Sequence, residues 1–173
     1  EGMVGAIVAI SLTRELSPVF TALMVTARGG SAMAAELGNM RVTEQIDALD
    51  TMGVSPVQYL ISPRMVASVL MMPLLCVLFS CVGMAGAWVV SVRGLGIDPG
   101  VFLANVEAYL EAEDFLMGMI KSLAFGLLMS VISCYQGFHA AGGARGVGTA
   151  TTRAVVNSAV AILISNYLIT SWL

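Results

Sequence analysis

Charged residues are scarce in this chain. Asp, Glu, Lys and Arg together make up 11% of its 173 residues, whereas soluble domains carry roughly 25%. No two basic residues are adjacent, and the formal net charge is −3, so the sequence offers no basic patch for nucleic acid. A soluble protein that buries its apolar surface is the alternative, but the apolar runs are too long and too many for it. We therefore expect a membrane protein without a nucleic-acid partner.

Residues of the kinds that build catalytic or metal sites are also few. Cys76, Cys81 and Cys134 lie in apolar runs, at spacings that fit neither a redox pair nor a zinc site. His139 is the only histidine, and no carboxylate lies near it in sequence. The glycines from 142 to 148 lack the lysine of a nucleotide-binding loop, and we interpret them as a flexible loop. The sequence thus predicts no metal site and no active site in this chain.

Long apolar runs dominate what is present. The chain is 58% hydrophobic with a mean hydropathy of +0.89. Runs near the length of about 20 residues that crosses a bilayer cover about residues 3–27, 65–92, 115–138 and 154–173. Helices are expected because lipid cannot satisfy backbone polar groups. We predict an all-α integral membrane protein with four transmembrane helices. Because the chain opens on Glu1 and enters apolar sequence at once, we expect a single domain whose N-terminal part is missing.

The connections between these runs differ in charge. Residues 28–64 and 139–153 hold five of the eight basic residues, whereas residues 93–114 hold one arginine against five acids. Lysine and arginine near the ends of spans mark the cytoplasmic side. We therefore place the first and third connections in the cytoplasm, and the second connection and both chain ends outside.

A short helix is predicted in the first connection, over Thr43 to Asp50. Thr43 is a good N-cap residue, Ile46 and Leu49 share one face, and Gly53 ends the helix.

A second, amphipathic helix is predicted outside, over Pro99–Glu113. We expect it to lie on the membrane surface or against an extracytoplasmic partner, because its apolar side chains share one face. These side chains are Phe102, Val106, Tyr109 and Leu110.

Three charged residues interrupt the apolar runs: Arg14, Glu15 and Lys121. Each costs roughly 2.5–3.5 kcal/mol at the centre of a membrane helix, so such residues face the bundle interior and form pairs. Neighbouring residues diverge by about 100° around a helix. We therefore expect either Arg14 or Glu15 to meet Lys121, while the other lines a cavity or lies near the interface. A purely structural ion pair and the polar lining of a substrate path both remain open.

An ordered series of motifs runs through the chain. In sequence order they are Arg14-Glu15-Leu16-Ser17-Pro18-Val19, Ala27-Arg28-Gly29-Gly30-Ser31-Ala32, Ala35-Glu36-Leu37-Gly38, Met40-Arg41-Val42-Thr43-Glu44-Gln45-Ile46-Asp47-Ala48-Leu49, Ile61-Ser62-Pro63-Arg64, Pro73-Leu74-Leu75, Lys121-Ser122 and Ala150-Thr151-Thr152-Arg153-Ala154-Val155-Val156. This series resembles the MlaE/YrbE-like permease family over essentially the whole chain. Ser17 stands where many relatives carry glycine, a small-for-small change. Family members carry a further stretch before position 1.

The resemblance implies a permease subunit of an ABC transporter. Such a subunit forms a homodimer in the bacterial inner membrane. The homodimer moves phospholipid, or a related lipid, between this membrane and the outer envelope. It implies an Mce-domain protein on the periplasmic side and a separate ATP-binding cassette ATPase in the cytoplasm, so that no cofactor is expected in this chain. The alternatives are a small-solute channel or secondary carrier, a non-transporting membrane scaffold and, least supported, an intramembrane enzyme.

The resemblance also implies roles for particular residues. Arg14, Glu15 and Lys121 match charged positions that line or flank the substrate cavity of the family. The short cytoplasmic helix is similar to the coupling helix that docks into the ATPase, and its acidic residues fit a basic partner unless they form only a solvated face. The residues expected to take part in this coupling are Thr43, Glu44, Gln45, Asp47 and Leu49.

Overall fold

The computed structural model describes residues 4–172, apart from the side chains of Val4 and Ala6. None of the residues 4–172 lies in a β-strand. Four of the helices are long and apolar enough to cross a membrane: Ile7–Val42, Val57–Gly94, Ala112–Phe138 and Gly143–Trp172. The predicted all-α membrane fold with four spans is confirmed, and the predicted limits at residues 3 and 173 lie outside the described residues.

The first span is one continuous helix that changes its winding twice. It comprises α1 (Val4–Ser11), a π-helical turn (Leu12–Leu16), α2 (Ser17–Val25), a second π-helical turn (Thr26–Gly30) and α3 (Ser31–Val42). The helix continues past the predicted end of the span, near Ala27, to Val42. Small residues explain the continuation: a methyl group added at Gly30 would lie 2.9 Å from Oγ of Ser133, so the helices approach closely there.

The short helix predicted in the first connection is present as α4 (Gln45–Thr51). Its predicted N-cap is wrong. The Thr43 hydroxyl donates at 2.8 Å to a carbonyl four residues earlier in α3, which makes Thr43 part of the preceding helix end. Glu44 precedes α4 with a left-handed φ of 60°, and this turn separates the two helices. Gly53, with φ of 75°, follows the end of α4.

The second span contains α5 (Ser62–Val89), flanked by π-helical turns at Val57–Ile61 and Val90–Gly94. It includes the predicted run 65–92 and extends it at both ends. Pro73 lies inside α5 without ending it.

The predicted outer helix Pro99–Glu113 is too long. The structure has α6 at Pro99–Tyr109, followed by Leu110 in an extended conformation with ψ of 106°. Glu111 then caps the third span, α7 (Ala112–Phe138), and exchanges hydrogen bonds with the first turn through Asp114. This capping box explains why one predicted helix becomes the end of α6 and the start of α7.

The helix α6 packs against the start of the first span. Phe102 is 2% exposed, and a methyl group added at Gly5 would lie 3.0 Å from its ring. Tyr109, predicted on the same apolar face, is 48% exposed. The structure therefore shows α6 in contact with α1 of the same chain, and its location on the membrane surface or against an extracytoplasmic partner stays a prediction.

The fourth span, α8 (Gly143–Trp172), begins well before the predicted residue 154. The predicted flexible loop through Gly148 is wrong, because only a tight turn separates α7 from α8. Gly142 and Gly143 have φ of 91° and 69°, which glycine adopts readily. A methyl group added at Gly146 would collide with the carbonyl of Ala141.

The third span lies at the centre of the bundle and packs against α2, α3, α5 and α8. A methyl group at Gly118 would lie 2.7 Å from the Thr13 carbonyl oxygen, so the absence of a side chain there lets α7 meet the first span. The main apolar core is formed by Ala22, Met72, Phe125, Met129 and Ile162. This packing places Lys121, one turn from Gly118, against the first span.

Candidate functional site

An ion pair joins the first and third spans. Lys121 Nζ lies 2.6 Å from Glu15 Oε1. The Lys121 side chain is fully buried, whereas that of Glu15 is 34% exposed. The prediction that one member of the Arg14–Glu15 dipeptide meets Lys121 is confirmed, and the partner is Glu15.

Arg14 extends to a different part of the bundle. Its Nη1 lies 3.5 Å from Oδ1 of Asp114, which is in the first turn of α7. The two neighbours therefore diverge, as their helical spacing predicts, and Arg14 lies towards the N-terminal end of α7. The side chain of Arg14 is 35% exposed and that of Asp114 is 13% exposed.

The local backbone helps to place this ion pair. Glu15 lies in the π-helical turn Leu12–Leu16, a type of helical irregularity that is frequent at functional sites. Pro18 has no N–H with which to bond the carbonyl of Arg14 four residues earlier. Lys121 Nζ donates to that carbonyl oxygen at 3.4 Å, so the lysine contacts both a side chain and the backbone of the first span.

The fourth span contributes two residues that the sequence analysis did not assign to the site. Thr170 Oγ1 accepts a hydrogen bond from Lys121 Nζ at 2.8 Å and lies 3.3 Å from Glu15 Oε1. Asn166 Nδ2 donates to Glu15 Oε2 at 3.3 Å. Asn166 and Thr170 are four residues apart and share one face of α8. The sequence shows this spacing, but it does not show which helix this face of α8 contacts.

An apolar groove lies between the first and second spans. Its volume is about 310 Å³, and a second groove of about 170 Å³ adjoins it through Val25 and Leu75. Arg14, Glu15 and Lys121 do not line either groove, so their assignment to a substrate cavity stays a prediction. The larger groove is lined by Thr21, Met24, Val25, Leu75, Leu78, Phe79 and Val82.

The helix α4 has one face against the bundle. Ile46 is fully buried, and Leu49 packs against the same core cluster, which includes Leu37 and Cys134. The predicted docking residue Leu49 therefore faces the protein itself. Glu44 is exposed, as are its neighbours Gln45 and Asp47.

An ion pair ties α4 to the end of the first span. Arg41 Nη1 lies 2.6 Å from Oδ1 of Asp47, and the Arg41 guanidinium is 5.8 Å from the centre of the Phe138 ring at the end of α7. Asp47 is thus engaged within the chain, although its side chain is 57% exposed. Glu44, the other acid among the predicted coupling residues, is exposed as well.

Comparison with known proteins agrees with this architecture. The sequence matches the family Permease MlaE over residues 1–172. A "Probable ABC transporter permease protein" of Rickettsia prowazekii is 46% identical over 170 residues, which cover 98% of this chain and 66% of the relative. The "Intermembrane phospholipid transport system permease protein MlaE" of Haemophilus influenzae is 37% identical over 172 residues, covering 99% and 66% of the two chains.

A relative from a plant is also similar. "Protein TRIGALACTOSYLDIACYLGLYCEROL 1, chloroplastic" of Arabidopsis thaliana is 44% identical over 169 residues, covering 98% of this chain and 48% of the relative. The chain therefore spans 66% of the length of the rickettsial relative and about half of the plant one. The family match extends over nearly all of this chain, and the four apolar helices agree with it. The chain belongs to the MlaE permease family.

Proposed function

We propose that the protein is the permease subunit of an ABC transporter that moves phospholipid, or a related lipid, between the bacterial inner membrane and the outer envelope. The observation that carries the proposal is the Glu15–Lys121 ion pair within an apolar bundle. Ionisable residues inside membrane spans are costly, and they commonly mark substrate paths. The names of the rickettsial and Haemophilus relatives, an ABC permease and a phospholipid permease, support the same transport class.

The charges and the apolar groove are suited to the two ends of a lipid. Arg14 and Glu15 are each about one-third exposed and offer opposite charges to a polar headgroup. Thr21, at the near end of the apolar groove, lies six residues farther along the first span, or about 9 Å along a helix axis. Acyl chains would occupy the groove between the first and second spans while the headgroup remains near the charged residues.

The energy source in this proposal is a separate ATPase that docks on α4. The exposed Glu44 and Gln45 would contact it, together with the accessible edge of Asp47. Ile46 and Leu49 would anchor α4 to the bundle, so that movement of the docked ATPase reaches the spans as a rigid-body shift. We also propose, from the family resemblance, that two copies pair in the membrane and that an Mce-domain protein binds on the periplasmic side.

Reconstitution tests the proposal. The full-length protein, purified with its ATPase subunit, is placed in liposomes that contain a fluorescent phospholipid. We expect lipid transfer to acceptor vesicles that requires hydrolysable ATP. Transport of small ions that needs an ion gradient and no ATPase would instead support a channel or secondary carrier. Neither activity, in a correctly assembled complex, would support the scaffold alternative.

A further inference from the structure

We infer that Thr170 and Asn166 of α8 are positioning residues for the charged site, and that Arg14 and Glu15, rather than Lys121, contact the polar part of the substrate. This inference rests on the proposed transport function and refines it. It gives the fourth span a role in the site. Of the three charged residues, Lys121 holds the site together, whereas Arg14 and Glu15 bind the substrate.

The hydrogen-bond inventory of Lys121 supports the first half of this division. An ammonium group has three N–H donors and no acceptor. Three acceptors lie within reach of Lys121 Nζ: Glu15 Oε1 at 2.6 Å, Thr170 Oγ1 at 2.8 Å and the Arg14 carbonyl oxygen at 3.4 Å. The Lys121 side chain is fully buried. All of its donors are thus directed at the protein, and none is left for a lipid phosphate.

The carboxylate of Glu15 is held from two sides. Lys121 and Thr170 contact Oε1, while Asn166 and Thr170 contact Oε2. The Thr170 hydroxyl has one hydrogen and two lone pairs, so it can accept from Lys121 while it donates to either carboxylate oxygen. Because the Glu15 side chain is still 34% exposed, an oriented edge of the carboxylate remains open to a substrate.

The position of α8 determines whether these contacts exist. Asn166 and Thr170 are one turn apart, and Ile162, a further turn away, packs in the core cluster that contains Ala22. The packed residue and the two polar residues therefore lie on one face of α8. Holding Ile162 in the core brings both polar side chains to Glu15. A rotation of α8 would move them away together.

Thr170→Val tests the inference because it removes the hydroxyl and keeps the side-chain shape. We expect ATP-dependent transfer of fluorescent phospholipid to fall roughly tenfold, the size of one lost hydrogen bond to a charged group. Thr170→Ser, which keeps the hydroxyl, should restore most of the rate. The matched control is Thr151→Val on the same helix, because the Thr151 hydroxyl donates to the Val147 carbonyl of α8 itself, and this variant should transfer lipid at the wild-type rate.

A second arm separates positioning from general destabilisation. In a Glu15→Gln, Lys121→Met background, Thr170→Val should lower neither the transfer rate nor the unfolding temperature further, because residues of one network act non-additively. Equal losses in both backgrounds, or a wild-type transfer rate for Thr170→Val, would overturn the inference while the transport proposal stands. A wild-type complex that transfers no phospholipid with ATP would overturn the proposed function, and this inference with it.

Discussion

Removing Lys121 alone should cost more than removing the whole ion pair. Lys121→Met leaves the Glu15 carboxylate in an apolar bundle without its cation. Breaking a buried pair in this way costs about 3–5 kcal/mol. Because the Glu15 side chain is 34% exposed, water screens part of that loss, and we expect a cost of about 2 kcal/mol. The double variant Glu15→Gln, Lys121→Met leaves no unpaired charge and should cost less than about 1 kcal/mol.

Thermal unfolding of the purified protein in one detergent measures the difference. At roughly 2–4 °C per kcal/mol for a chain of this size, Lys121→Met should unfold about 4–8 °C below wild type. The double variant should remain within about 3 °C of wild type. Arg93→Met is the control for loss of a single positive charge, because Arg93 is exposed, and it should unfold near wild type. If the single and double variants unfold at the same temperature, leaving the Glu15 carboxylate without Lys121 has no extra cost, and the reasoning fails.

Two further predictions concern α4 and the centre of the bundle. Glu44→Lys should weaken ATPase binding at least fivefold in a pull-down titration, because it reverses a charge on the proposed docking face of α4. Glu107→Lys on α6 is the control and should leave binding unchanged. Equal effects of the two variants would contradict the assignment of α4 as the docking helix. Gly118→Ala should lower the free energy of unfolding by about 1–3 kcal/mol, because the new methyl group meets the Thr13 carbonyl oxygen at 2.7 Å. Gly86→Ala is its control in thermal unfolding, since no described atom lies within 4 Å of the added methyl group apart from the chain neighbours and the backbone of the same helix. Similar losses at both positions would show that the close approach is not the cause.

The spans were predictable because their signal is local. Apolar runs of sufficient length located all four membrane helices, and the run 115–138 agrees closely with α7 (Ala112–Phe138). Helix ends were less predictable, because they depend on packing and on single turns. The predicted first span ends near Ala27, where polar residues begin, whereas the helix continues to Val42 with α3 packed against α7 and α8.

The candidate site was predictable only in part. The cost of charge within lipid is enough to single out Arg14, Glu15 and Lys121 from their positions in the apolar runs. Which of these residues form a pair depends on how the first span is rotated relative to the third. Residue spacing within one helix does not determine that rotation. Thr170 is an ordinary polar residue near the end of an apolar span, and only the approach of α8 to the ion pair shows that it contacts both charges.

The π-helical turns of the first span determine which way its side chains point. Each such turn holds about one residue more than an α-helical turn, which rotates the side chains beyond it by about 100° around the axis. One continuous helix thus meets different main neighbours along its length: α1 packs chiefly against α6, α2 against α5 and α7, and α3 against α7 and α8. A one-residue deletion in Leu12–Leu16 could leave the helix unbroken and still turn every later side chain away from its partner. The tolerance of this helix to insertions and deletions therefore depends on the direction in which its side chains point around the axis, and not on its length.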